Sequence, residues 1–168
     1  MGFVNSSLTF ASNSTIIFMY DTLKIIHSLL RWLILLSGFY AVLRAILGVS
    51  GKRAYTSMDG KAGLFYMIFF DTQLLVGLLL YFIYSPLVQL STMASTMKDT
   101  TLRFYSVEHG FMALIALVLV HIGRAKTKKG TDAQRHKNAL IFFGIALILV
   151  LALIPWPGRA LIGQPLAW

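Results

Sequence analysis

Four long stretches rich in Leu, Ile, Val, Phe and Ala, at positions 22–47, 61–85, 103–122 and 138–154, dominate the chain and constrain its fold more than any other feature. A helix of about 20 such residues crosses the hydrocarbon core of a bilayer. With 57% hydrophobic and only 12% charged residues, a chain of 168 residues has more apolar side chains than one soluble core can hide. Lipid is therefore its main solvent. The sequence predicts an all-α, integral membrane four-helix bundle over residues 21–158, flanked by a loose N-terminal tail (1–20) and a C-terminal tail (159–168).

The formal net charge of +9 follows the topology. Arg44, Lys52, Arg53 and Lys61 border the first connection, and Arg124, Lys126, Lys128, Lys129, Arg135 and Lys137 border the third. Lys24, Lys98, Arg103 and Arg159 lie at the opposite ends. The positive-inside rule then places both basic connections in the cytoplasm and both termini on the outer side of a bacterial inner membrane. The charge is read as orientation rather than as a nucleic-acid surface. Residues 1–20 lack the basic start of a signal peptide, and Met19 is an alternative start to Met1. The run Met1-Gly2-Phe3-Val4-Asn5-Ser6 fits a myristoylation pattern, for which chance is the better explanation at an external terminus. Asp21-Thr22 is expected to cap the first helix, Gly48 to end it, and Ser85-Pro86 to stop the second.

Ionisable residues within these stretches carry the functional signal, because such groups at membrane depth face the bundle interior and mark ion, substrate or cofactor sites. At about 1.5 Å of rise per residue, His27 and Arg31 sit roughly 11 and 5 Å from the middle of the first span, and Glu108 and His109 roughly 9 and 8 Å from the middle of the third, all toward the outer face. His27 and Arg31 share one helix face with Ile34 and Gly38. Two imidazoles from different helices at matching depth are what a haem needs inside a bundle, one axial nitrogen from each side. Gly110 and Gly38 supply room for a flat ring. Arg31 is the candidate partner of a haem propionate or of Glu108, and Glu108 the candidate acceptor behind the ligands. The competing reading leaves His27 interfacial and His109 hydrogen-bonded across helices.

The chain has no cysteine, so thiolate metal sites, iron–sulfur clusters and covalent c-type haem attachment are excluded. A second haem on His121 and His136 is the weaker alternative. Twelve residues turn His121 about 120° from His109, and the neighbours Arg135 and Lys137 favour His136 as a solvated residue at an interface. Asp71, near the middle of the second span, needs a partner: Arg31, or a proton of its own if the carboxyl stays neutral. Structural hydrogen bonding through Thr72 and Gln73 is the plainer role, and a proton relay or quinone contact the sharper one.

The run Ile26-His27-Ser28-Leu29-Leu30-Arg31-Trp32-Leu33, with Glu108-His109-Gly110 and His121-Ile122-Gly123-Arg124, resembles a family of small four-helix membrane proteins of the Bacteroidota labelled cytochrome b-like. It is also distantly similar to bacterial cytochrome b561, although here Arg31 rather than His precedes Trp32. The resemblance implies haem b binding and electron transfer. The leading expectation is a membrane cytochrome with one haem between His27 and His109, a quinone as second candidate cofactor, a membrane or periplasmic redox partner, and no catalytic reaction of its own. A haem-free accessory or assembly subunit of a larger membrane complex is the alternative, and a proton-coupled transporter using Asp71 and Glu108 a weaker one.

Overall fold

The structure, a computed structural model, describes residues 3–84 and 93–156. Its regular elements are all helical, and four apolar rods long enough to cross a membrane run through residues 15–50, 57–82, 100–126 and 132–153. The expected stop at Ser85-Pro86, Leu90 to Thr92 of the second connection, the tail 159–168 and the first two residues of the myristoylation pattern lie outside the described residues.

Helix α1 covers Phe3–Ser50, so the segment expected as a loose tail is helical from Phe3 onward. No glycine or proline lies between Phe3 and Gly38, and nothing breaks the helix there. Asp21 and Thr22 do not cap it. The Thr22 hydroxyl donates back to the Phe18 carbonyl at 2.8 Å and Asp21 pairs with Lys24 at 3.1 Å, both contacts internal to a helix.

Helix α2 (Ser57–Leu79) starts earlier than the hydropathy suggests, because Thr56 and Asp59 form a capping box that satisfies its first amides. It continues into a wider π turn over Leu80–Tyr84. A short α3 (Met93–Thr96) precedes α4 (Thr100–Arg103), which Asp99 caps by accepting from the Leu102 amide at 2.8 Å. A second π turn, Phe104–Glu108, joins α4 to α5 (His109–Lys126), and the three form one rod. Helix α6 (Asp132–Leu153) begins at the Thr131 and Gln134 capping box, six residues before the expected boundary. The rods pack in the cyclic order α1, α2, α5, α6.

Small residues line the interior: Ala41, Ala45, Ala62, Ala116, Ala139 and Ala146 are all buried. They let helices approach closely, which matters in lipid, where van der Waals contact takes over from the hydrophobic effect as the main force between helices. Large rings fill the gaps by lying directly on glycine backbone. Tyr66 packs on Gly38, Phe143 on Gly63 and Gly123, and His136 on Gly48. A methyl group at Gly48 would overlap the His136 ring, and one at Gly63 or Gly123 would stand 2.8 Å from the Phe143 ring.

One polar clamp ties α1 to the start of α2. Arg44 Nε donates to Asp59 Oδ1 at 2.7 Å, and Arg44 Nη2 donates to the Thr56 hydroxyl at 3.2 Å. Asp59 Oδ2 accepts from the Thr56 amide at 2.7 Å and its hydroxyl at 2.6 Å.

Gly48→Ala, Gly63→Ala and Gly123→Ala are each expected to destabilise the bundle by about 1–3 kcal/mol through overpacking. Gly144→Ala, with nothing within 4 Å of the added carbon, should be neutral or slightly stabilising, since alanine is the better helix former. Unfolding in mixed detergent micelles measures both, and equal losses at Gly48 and Gly144 would contradict the packing described. In the same assay Asp59→Ala should cost about 1.5–3 kcal/mol, the range for hydrogen bonds to a charged group.

Candidate functional site

His27 on α1 and His109 on α5 meet across the bundle interior, their ring centroids 6.2 Å apart and their planes at 55°. Sequence depth alone predicted this encounter. The Nδ1 atoms of both rings are buried and have no hydrogen-bond partner. The Leu153 backbone at the end of α6 lies close to the His109 ring. His27 lies over Gly77 of α2, where an added methyl would stand 3.3 Å from its Cε1 atom. All four rods thus contribute to the surroundings of the pair.

The π turn before His109 sets the rest of the geometry. Its hydrogen bonds reach five residues rather than four, as the His109 amide does to the Phe104 carbonyl. Residues five apart consequently stack. Phe104 packs against His109 at 5.5 Å between centroids, with Tyr105 at 6.4 Å. Arg103 Nε donates to Glu108 Oε1 at 2.7 Å. The expected Arg31 to Glu108 pairing is therefore replaced by a pair within one rod. Glu108 is half exposed and turns away from the histidines. Beside it, the Tyr81 hydroxyl of the π turn that extends α2 donates to the Ser106 carbonyl, linking the two π turns.

Arg31, one turn along α1 from His27, places its guanidinium 5.3 Å from the Trp32 ring centroid, and Trp32 meets Trp156 edge-on at 6.4 Å. The room expected at Gly38 is taken by Tyr66, whereas Gly110 has open space beside it.

Asp71 pairs neither with Arg31 nor through Thr72 and Gln73: it holds His121 Nε2 at 2.7 Å. The Thr72 hydroxyl bonds back to the Ile68 carbonyl of its own helix. His136, expected at a solvated interface, is 2% exposed. It lies on Gly48 and 5.0 Å from the Tyr55 centroid, and the Arg135 guanidinium lies 3.8 Å from the centroid of the same tyrosine. Lying on bare backbone excludes it from water. His121 and His136 thus occupy separate environments, and the structure does not join them in a second site.

Among the described residues no group of three or more His, Asp or Glu side chains converges as a metal cage. The two-imidazole pair has only two donors, so a metal held there must bring its remaining ligands with it, as the iron of a porphyrin does. Sequence reasoning missed Phe104, Tyr105, Gly77 and the Leu153 backbone. Gly77 was within reach, since it lies on the inward face of α2 with Tyr66, Phe70 and Gln73, at offsets of four and three residues.

The chain matches no family model, no curated protein and no solved structure.

A double-mutant cycle of Arg103→Gln and Glu108→Gln should give a coupling of about 0.2–1 kcal/mol, as for half-exposed pairs. The cycle of Arg31→Gln with Glu108→Gln should give none. Coupling in the second cycle alone would restore the pairing expected from sequence.

Proposed function

We propose that this multi-pass membrane protein is a b-type cytochrome that holds one haem between His27 and His109 and passes electrons between a membrane carrier and a redox partner. One observation carries the reading: two imidazoles from different rods lie 6.2 Å apart between centroids, and each has a buried, unpartnered Nδ1 atom. His27 and His109 would hold the iron, and their spacing leaves them close enough for both to reach one ion. Phe104 and Tyr105 add flat apolar surface beside the ligand.

In this reading haem supplies a one-electron iron couple, and the chain sets its potential through two neutral imidazoles in a dry interior. Arg31, on the same face as His27, offers positive charge to a propionate. The basic connections lie in the cytoplasm and the termini outside, in the inner membrane of a bacterium.

A haem-free accessory or assembly subunit is the second reading. It is favoured by the Arg44–Asp59 clamp and the Tyr81–Ser106 link, which fasten the rods with no cofactor. A transporter using Asp71 and Glu108 together has less support, because each carboxylate is engaged by a different neighbour.

The reduced-minus-oxidised spectrum of detergent-purified protein from haem-replete cells, with pyridine haemochrome quantitation, tests the proposal. It should show about one b-type haem per chain. His27→Ala and His109→Ala should each lose it, while His136→Ala should keep it. A colourless, folded wild-type protein would overturn the cytochrome reading in favour of the accessory subunit.

A further inference from the structure

Asp71 and His121 form an ion pair across the seam between α2 and α5, yet their side chains are 41% and 45% exposed. The surface around them is lipid-facing. Ile68 and Leu75 share the Asp71 face of α2, and Leu114 and Val118 share the His121 face of α5, all of them exposed. A carboxylate inside the bilayer costs about 2.5–3.5 kcal/mol even on the most lenient scale, and such groups ordinarily turn inward. This pair turns outward. Each partner satisfies only part of the other: His121 Nε2 meets Asp71 Oδ1, and no hydrogen bond to Asp71 Oδ2 or His121 Nδ1 is found among the described residues. An acceptor therefore stands open to whatever is dissolved in the hydrocarbon.

We propose that the Asp71–His121 pair is a lateral binding site for a lipid-soluble hydroquinone, one ring hydroxyl donating to Asp71 Oδ2. A ligand here must arrive through the bilayer, so it is apolar in bulk, and it must present a hydroxyl to meet the free carboxylate oxygen. Branched aliphatic side chains on both rods provide the apolar walls of the seam. His121 holds the carboxylate in place through its Nε2 atom. The choice of a hydroquinone over other hydroxyl-bearing lipids rests on the cytochrome reading, which requires a membrane-dissolved carrier. The position suits that role, since Asp71 is six residues from Gly77, about 9 Å of helix rise from the glycine on which His27 lies.

The test is equilibrium binding of decyl-ubiquinol to the full chain in lipid nanodiscs under anaerobic conditions, with the infrared carboxylate bands of the protein recorded in parallel. Wild-type protein should bind about one molecule per chain and shift an Asp71 band, and the O,O-dimethyl ether of the probe, which has no hydroxyl to donate, should not bind. Asp71→Asn, which preserves shape, and His121→Phe should each weaken binding at least about tenfold. Unchanged affinity in both variants, or equal binding of the ether, would overturn the site. So would a wild-type homodimer that buries the pair and excludes the probe. Running the assay on protein from haem-depleted cells separates the two proposals. Binding retained there supports the site whatever the spectrum shows, whereas haem present with no hydroquinone binding removes this site and leaves the cytochrome reading standing.

Discussion

Contact between rings and bare backbone is the interaction on which this bundle depends. In lipid an apolar side chain gains little by leaving its solvent, so helices adhere through close contact and hydrogen bonds. Tyr66 on Gly38, Phe143 on Gly63 and Gly123, and His136 on Gly48 bring rods together at three levels. His27 over Gly77 is a further contact of this kind, and it belongs to the candidate site. The packing rule that holds the helices together also positions an imidazole.

The π turn of Phe104–Glu108 is the second organising feature. It makes residues five apart neighbours, and in doing so it removes Glu108 from the interior, brings Phe104 against His109, and presents the Ser106 carbonyl to Tyr81. One wide turn thus divides two adjacent polar residues between different jobs, Glu108 to its own rod and His109 to the centre of the bundle. Wide turns of this kind recur at functional positions because they aim side chains that a regular helix would point elsewhere.

The four spans were legible because length and hydropathy are properties of single segments, and the meeting of His27 with His109 because depth along a helix is simple arithmetic. The pairings were not. Depth makes Arg31 one candidate partner of Glu108, but the π turn brings Arg103 of the same rod to it instead. For Asp71 the sequence offers Arg31, a proton of its own or bonding through Thr72 and Gln73, whereas His121 lies fifty residues away on a neighbouring rod that no local pattern identifies. His136 was placed in water because charged residues flank it, yet the neighbour that decides its burial is Gly48, on a different helix. The early start of α2 was written in Thr56 and Asp59, a capping pattern that hydropathy does not weigh.

The clamp between Arg44 and Asp59 gives one arginine two successive uses. An arginine beside a membrane span influences orientation while the chain is being inserted, before its helices have met. Once α1 and α2 pack, the same guanidinium is bound to a buried carboxylate, and its charge is spent inside the protein. Any orienting influence of Arg44 therefore belongs to the biosynthetic history of the chain, and the mature bundle retains it as a latch: turning the first hairpin over would require this contact to be broken first.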